Sequence, residues 1–467
     1  MDERGLQEAL EKMRAAGLSG PAVESFRRAW HLAAAGGGGL IAEDTLAPAE
    51  GLPSMAEVAG GEAPAGLFDK LCVIKLNGGL GTSMGLERAK SLIAVKDGLT
   101  FLDFIARQIL WLRSRHGTRG PRFLLMDSFS TSADTLAHLA RYADLSGDGA
   151  LDFRQNKVPK VRADTLAPVA WPSAPDLEWC PPGHGDLYPS LLGSGWLDRL
   201  AAEGVEYLFV SNSDNLGATA DAGLLSYFAG SGLSFLMEVA ERTASDRKGG
   251  HLARRVSDGR LVLREVAQCP AGDLDAFQDI ARHRYFNTNT LWLKLSDLRA
   301  ALGEHGGALP LPLIKNTKTV DPRDPLSPKV LQLETAMGAA IECFAESGAV
   351  LVPRTRFAPV KTTSDLLALR SDAFRVTDDE RLELVPECGG VPPEVVLDER
   401  YYKTLAGLEA GFGKSAPSLR RCGHFRVAGP WRFEDGVVCE GAVKFTHEGP
   451  RPAVVRAGIY RDVAAVI

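Results

Sequence analysis

Glycines crowd the chain directly after a short apolar run, in Leu71-Cys-Val-Ile-Lys-Leu-Asn-Gly-Gly-Leu-Gly-Thr-Ser-Met-Gly85, and Lys90 follows. Gly78, Gly79, Gly81 and Gly85 free the backbone to take positive φ and to approach a ligand without a Cβ in the way. Amide N–H groups released in such a loop converge on an anion, so a phosphate is the natural guest and Lys90 adds a point charge. Further along, Tyr207-Leu-Phe-Val-Ser-Asn-Ser-Asp214 runs an apolar strand straight into a carboxylate. One such Asp is enough for Mg²⁺, which keeps several waters and takes other ligands from substrate phosphate. An Asx-rich turn is the alternative for Asn212-Ser-Asp-Asn215. Pro181-Pro-Gly-His-Gly-Asp186 presents one imidazole, His184, from a tight loop, although a proline-led surface turn would look the same. Asn287 and Asn289, in Phe286-Asn-Thr-Asn-Thr290, can bind sugar hydroxyls through amide donors and acceptors.

Two common explanations of a glycine-rich phosphate loop fail here. The Walker pattern ends in Gly-Lys-Ser/Thr, whereas Gly81 is followed by Thr-Ser-Met-Gly. The dinucleotide fingerprint needs G-x-G-x-x-G with an acidic residue about twenty positions on. Gly79-Leu-Gly-Thr-Ser-Met84 ends in methionine, and Asp97 and Asp103 fit the acidic position poorly. The stretch instead resembles the signature Leu-Asn-Gly-Gly-Leu-Gly-Thr-x-Met-Gly, then Lys-Ser, of the eukaryotic-type UTP–glucose-1-phosphate uridylyltransferases, the UDP-glucose pyrophosphorylase family. Leu76 to Gly85 and Lys90-Ser91 carry that match.

Further motifs of the family recur in strict order. Met126-Asp-Ser-Phe129 is close to its Met-Asn-Ser-Phe, with Asp127 in place of Asn, and Gln155 sits where the family has a glutamine that contacts uracil. Pro181-Pro-Gly-His-Gly-Asp186 is similar to its Pro-x-Gly-His-Gly-Asp, which implies that Gly183 packs against the uracil and His184 reaches the sugar phosphate. Asn212-Ser-Asp-Asn215 matches Asn-x-Asp-Asn, so Asn212, Ser213 and Asp214 inherit sugar and metal contacts. Asn287-Thr-Asn-Thr290 matches Asn-Thr-Asn-Asn except at Thr290. Glu334, in Leu333-Glu-Thr-Ala-Met-Gly338, could bind a sugar hydroxyl or cap an apolar helix that opens there. Lys361, in Arg356-Phe-Ala-Pro-Val-Lys361, is expected at a proline-stiffened strand end. The resemblance implies nucleotide contacts from Leu76, Asn77, Gly78, Gly79, Lys90, Gln155, Gly183, Asp214 and Lys361. Gly78, Gly79, His184, Asn212, Ser213, Asp214, Asn287, Asn289 and Glu334 are implied on the sugar-phosphate side.

Composition narrows the setting. The 467 residues exceed one ordinary core, so two or three domains are expected. Lys+Arg 53 against Asp+Glu 59 leaves a net charge of −6 with no basic block, which argues against a nucleic-acid partner. No apolar signal core opens the chain and no run reaches the roughly 18 apolar residues of a membrane span. A cytoplasmic protein without a membrane partner is expected. The 7 cysteines, an odd number without Cys-x-x-Cys, read as reduced packing residues.

The elements that must position these residues follow from apolar spacing. Leu6, Leu10, Met13 and Leu18, then Val23, Phe26 and Trp30, predict a helical pair broken by Gly20-Pro21, followed by a linker or wrapped arm from Gly36 to Gly66. From Lys70 apolar strands alternate with helices. This implies an α/β domain over 67–373 whose mixed, mainly parallel sheet binds ligands beyond its strand ends, as in Rossmann-like nucleotide-diphospho-sugar transferases. Leu71–Leu76, Phe123–Met126, Tyr207–Val210, Phe235–Val239 and Leu261–Leu263 are the strand candidates, and Thr100-Phe-Leu-Asp103 starts a helix with a capping box. Over 374–467 short apolar alternations with many glycines fit stacked β coils without helical period. The family places a left-handed β-helix there, used for association between subunits, and this tail looks like a shorter version.

The reading is a nucleotidyltransferase that joins UTP and α-D-glucose 1-phosphate to give UDP-glucose and pyrophosphate with Mg²⁺. Lys90 would hold the leaving pyrophosphate and Lys361 would bridge the two reacting phosphates, the pair expected to be catalytic. A pyrophosphorylase for N-acetylhexosamine or other sugar phosphates, and a non-catalytic UDP-sugar sensor, are the alternatives. Asn77 and Met84 disfavour the first; Lys90, Asp214 and Lys361 together disfavour the second. An NAD-dependent oxidoreductase is more distant still.

Overall fold

A strand buried on both faces favours apolar residues on each, and the first four positions of Leu71–Asn77 supply them: Leu71 and Val73 enter one core layer while Cys72 and Ile74 enter the other. The computed structural model describes residues 3–36, 39–61, 63–146, 149–243, 246–413 and 415–466. Gly37 and Gly38 of the expected linker lie outside the described residues. Leu71–Asn77 runs parallel to Tyr207–Asn212 on one side and to Arg122–Asp127 on the other, and Asp152–Arg154 extends the parallel set. Beyond Tyr207–Asn212 the sheet turns antiparallel, through Tyr285–Lys294 and His251–Arg255. Phe235–Glu241 pairs antiparallel with Tyr285–Lys294 and parallel with Ser347–Leu351, and Leu261–Arg264 pairs with His251–Arg255. The result is a mixed ten-stranded sheet covered by helices, and each of the five strand candidates lies within one of its strands.

The helix Phe101–His116 begins at Thr100, whose side chain and Asp103 form the expected capping box, and it buries Phe101, Ile105, Ile109 and Leu112. The N-terminal pair forms as Arg4–Ala15 and Gly20–Ala34. Its apolar stripe covers Val158, Val161, Leu313 and Leu333, and so supports the strand Lys329–Glu334. The arm that follows is more than a linker: Leu46–Pro48 pairs with His251–Arg255 as an edge strand of the main sheet. Three residues ending in proline give little sequence signal, and an edge is where proline is tolerated.

Two further expectations need correction. Glu334 does not open a helix: Lys329–Glu334 is a strand, and the apolar run after it is a 3₁₀ segment, Met337–Cys343. Lys361 follows no strand; the 3₁₀ turn Arg354–Arg356 and irregular backbone lead to it. In both places the neighbouring chain, not local propensity, sets the backbone.

The C-terminal region stacks Glu394–Leu397, Ser418–Ala428, Val437–Thr446 and Gly458–Arg461 in parallel, with Trp431–Phe433 on Ala453–Val455. Phe425, Trp431, Val443 and Phe445 fill the interior. Helical structure does occur here, at Glu399–Tyr402 and Leu405–Phe412, capped by Asp398 and Thr404. Their shortness and the glycines at 407 and 411 hide the period in the sequence.

Candidate active site

The glycine loop leaves the carboxyl end of Leu71–Asn77 and folds back on itself. Gly81 N–H donates to Arg88 O at 3.2 Å and Lys90 N–H to Gly79 O at 3.2 Å, which returns Lys90 to the loop's own base. Among the four glycines expected to adopt positive φ, only Gly85 does. Gly78 is required for a different reason: a Cβ there would stand 2.6 Å from Gln155 Oε1. Gln155 therefore lies over the loop, its backbone N–H held by Asp127 O at 2.7 Å. Asn77 turns its side chain inward, donating to Asp127 Oδ1 at 2.7 Å and Thr135 Oγ1 at 3.0 Å, which leaves its backbone for the loop. Burial pushes the Asp127 carboxyl up to about 7, partly offset by Asn77 and Thr131, and its Oδ2 has no partner among the described residues. The aspartate that replaces the family's asparagine thus faces the core.

Tyr207–Asn212, beside that strand, delivers Asp214. Ser213, buried, donates its backbone N–H to Leu76 O at 3.1 Å, so the aspartate emerges next to the glycine loop. Lys90 Nζ lies 2.6 Å from Asp214 Oδ2, while Asp214 Oδ1 is buried with no partner among the described residues. An orphaned carboxylate oxygen beside the glycine loop is a fit for a hard cation. No trio of His, Cys, Asp or Glu among the described residues could hold a metal, so the other ligands would be water and substrate oxygen. Beneath the turn, Lys75 donates to Ser211 Oγ and Ala218 O, and burial lowers its ammonium to about 7, reinforced by Arg356 and opposed by Glu238 and Asp214.

On the other side of Asp214 opens a cavity of about 400 Å³, lined by Asn212, Asn287, Asn289 and Lys361 among others. A bulge builds its asparagine face. Val239 pairs with Asn287 while Glu238 pairs with Thr290, so Thr288 and Asn289 are extra and Asn289 takes φ of 57°. Asn287 Nδ2 then donates to Asn289 Oδ1 at 2.9 Å, locking the two amides together. Lys361 is exposed; its backbone N–H donates to Asp365 Oδ2 at 2.9 Å, the residue that caps the next helix, and Val360 N–H donates to Asp214 O at 3.3 Å.

Gly183, His184 and Glu334 gather nearby. A Cβ on Gly183, at φ of 80°, would meet Thr335 O at 2.4 Å and Glu334 Cβ at 3.1 Å. His184 Nδ1 accepts the Met337 N–H at 3.0 Å, so the neutral imidazole carries its proton on Nε2 as a donor. The protein packed around it lowers the imidazole to about 4. Gly338, next in line, approaches Asn287 so closely that a Cβ would stand 2.6 Å from Nδ2, which links this cluster to the cavity.

Sequence reasoning missed Lys248, Gly250 and Glu265, which also line the cavity. Gly250 lets the Glu265 carboxyl approach, since a Cβ would stand 2.5 Å from Oε2, and burial raises that carboxyl above its ordinary value. The signal existed: Glu265 directly follows the strand Leu261–Arg264, and Lys248-Gly-Gly250 lies in the connection after Phe235–Glu241.

Comparison with known proteins agrees with this geometry. The family described as UTP–glucose-1-phosphate uridylyltransferase matches residues 41–440. The potato (Solanum tuberosum) enzyme of that name is 41% identical over 379 residues, 81% of this chain and 77% of its own. The Saccharomyces cerevisiae enzyme is 42% identical over 377 residues, 80% and 74% of the two chains. A structure of UDP-glucose pyrophosphorylase from Leishmania major superposes with a TM-score of 0.94 at 45% identity over 100% of both chains. A variant of that protein in complex with UDP-glucose gives 0.93 at 45% identity over 99% of each. With the family match running through the glycine loop, Asp214, Lys361 and most of the β coils, the chain belongs to the UTP–glucose-1-phosphate uridylyltransferase family.

Proposed function

We propose that this chain converts UTP and α-D-glucose 1-phosphate to UDP-glucose and pyrophosphate. One observation carries the reading beyond family membership: Asp214 stands between a phosphate loop, whose Lys90 touches it, and a cavity walled by two interlocked asparagines and Lys361. A nucleoside triphosphate on the first side and a sugar phosphate on the second would bring their phosphates together at Asp214.

No covalent step on the protein is needed. The sugar phosphate oxygen attacks the α-phosphorus of UTP in line and pyrophosphate leaves, so the protein's work is placement and charge. The backbone from Leu76 to Gly79 lies along the nucleotide, and Gln155 and Gly183 bound a slot for uracil. His184 donates its Nε2 proton to the sugar phosphate. Asn212, Asn287, Asn289 and Glu334 bind sugar hydroxyls. Lys361 reaches both reacting phosphates and gains most as the α-phosphorus becomes five-coordinate, whereas Lys90 exchanges Asp214 for the leaving pyrophosphate. Asp214 would hold Mg²⁺, which when bound supplies further neutralisation of the phosphates. The orphaned Asp214 Oδ1 supports that assignment. Buried Cys180, Cys422 and Cys439 are packing residues, which fits a cytosolic setting, and exposed Ile459 and Val466 on the terminal β strands support subunit association there.

Pyrophosphate release by the purified chain tests the function. UTP with glucose 1-phosphate is expected to support turnover, with kcat/KM at least about tenfold above ATP or GTP because a buried uracil partner would be left unpaired. EDTA is expected to abolish the activity and Mg²⁺ to restore it. Absence of pyrophosphate with UTP and glucose 1-phosphate, or equal use of ATP, would overturn the reading.

A further inference from the structure

Lys75 is out of place as a mere filler of the sheet. It lies in the centre of the strand Leu71–Asn77, 2% exposed, where an apolar side chain would avoid the cost of burying an ammonium. Its Nζ donates to two neutral oxygens from separate points of the chain: Ser211 Oγ at 2.8 Å and Ala218 O at 2.6 Å. Those points bracket the turn that carries Asp214. Ser211 is the residue opposite Lys75 in the parallel ladder, so it is already fixed. Ala218 is not in a strand, and the lysine ties it down.

The same turn is joined to the segment that carries Lys361. Asn215 Nδ2 donates to Arg356 O at 3.0 Å, Ala358 N–H donates to Asn215 Oδ1 at 3.1 Å, and Val360 N–H donates to Asp214 O at 3.3 Å. Arg356 in turn donates to Thr219 O at 2.8 Å and is held by buried Glu238 through two bonds of 2.8 Å. Movement of Ala218 therefore shifts Asp214 and Lys361 together relative to the glycine loop, which hangs from the strand that Lys75 itself belongs to.

We propose that Lys75 is a positioning residue for uridylyl transfer, clamping the Asp214 turn and the attached Lys361 segment to the strand that bears the phosphate loop. The proposal rests on the uridylyltransferase reading for its kinetic consequences but not for its structural ones. Lys75→Met keeps an unbranched chain one atom shorter and removes the donors; Ser211→Ala removes one acceptor and leaves the charge. In Lys75→Met, kcat is expected to fall about tenfold to a hundredfold, as displaced reacting groups typically cost, while KM for UTP stays within about threefold. The Mg²⁺ concentration for half-maximal rate rises in parallel. Without substrate or metal, backbone amides of residues 213–219 are expected to exchange with solvent at least about tenfold faster, and those of 72–75 and 208–211 at the wild-type rate. Ser211→Ala moves the same readouts in the same direction by less. Wild-type exchange in 213–219 together with wild-type kcat in Lys75→Met would overturn the proposal; if that variant does not fold, unchanged exchange in Ser211→Ala does so. Should the wild-type chain make no UDP-glucose, the functional reading fails, and the exchange experiment still decides the clamp.

Discussion

The two halves of the site are built by different means. On the side proposed for the nucleotide, parallel strands end side by side and one uninterrupted stretch, Leu71 to Ser91, supplies the strand, the glycine loop and the lysine. On the side proposed for the sugar the sheet is antiparallel and bulged, and the lining comes from segments as far apart as Lys248, Glu265, Asn289 and Lys361. A phosphate can be gripped by local backbone amides, so its site condenses into a motif. Sugar hydroxyls need side-chain donors and acceptors at fixed mutual angles, which only a tertiary assembly provides. Asp214 is where the halves meet, and substitutions there and on either side separate their contributions.

The largest effects are expected at the junction. Asp214→Asn keeps shape but loses the anionic oxygen, and Lys361→Ala removes a preorganised charge. Each is expected to lower kcat by on the order of a hundredfold or more with an intact circular dichroism spectrum. Lys90→Ala differs in kind, since it also raises KM for UTP and for pyrophosphate. A Lys361→Ala variant within about threefold of wild-type kcat would contradict the assignment, because a solvated surface lysine costs almost nothing.

Next come substitutions that touch one half alone. Asn289→Ala unlocks the paired amides and is expected to reduce kcat/KM for glucose 1-phosphate by about tenfold or more, leaving KM for UTP unchanged. Gly78→Ala pushes the Gln155 amide aside and is expected to do the reverse, raising KM for UTP several-fold while the sugar parameters hold. Steady-state kinetics with each substrate varied checks both, and crossed effects would show that the halves are not separable.

How much was legible in the sequence follows the same division. Strand Leu71–Asn77, its loop and Asp214 are local patterns, and the structure places Lys90 on Asp214. The positive φ expected at Gly78 is absent because crowding by Gln155, 77 residues on by number, is what demands glycine there. Glu334 was misplaced on a helix since Ala336 to Ile341 reads as apolar periodicity, while pairing with Ile314–Thr319 extends the chain up to Glu334. Glu265 and Lys248 carry no motif. They become visible only when antiparallel pairing folds them against Asn287 and Asn289.

The smallest effects concern stability, and two buried groups, Asp127 and His251, respond to pH in opposite directions. Asp127, on the nucleotide side, holds its proton to about 7 when folded against 3.8 as a free side chain. Between those values the unfolded chain binds fewer protons, so stability falls as pH rises, and the penalty is complete above pH 7. Asp127→Asn is expected to raise Tm at pH 8 and to leave it nearly unchanged at pH 4. Next to Gly250 of the cavity wall, His251 stacks on His283 with ring centroids 3.8 Å apart and neither of its nitrogens hydrogen-bonded among the described residues; burial, then His283, Arg242 and Arg264, lower it to about 2. Here the unfolded chain gains a proton below its ordinary 6.5 and the folded chain does not, so stability is lost as pH falls. His251→Leu is expected to flatten that acid limb in thermal melts from pH 7 to 5.

In the proposed reaction the two halves hold two substrates at once, so that one phosphate attacks the other directly. The stereochemistry at the α-phosphorus tests this. With UTP carrying a chiral sulfur-substituted α-phosphate and glucose 1-phosphate as acceptor, a single in-line displacement inverts the configuration in the UDP-glucose analogue formed. Inversion is the expected result; retention would mean a second displacement through a uridylylated protein side chain, and would contradict a site that works by placement and charge alone.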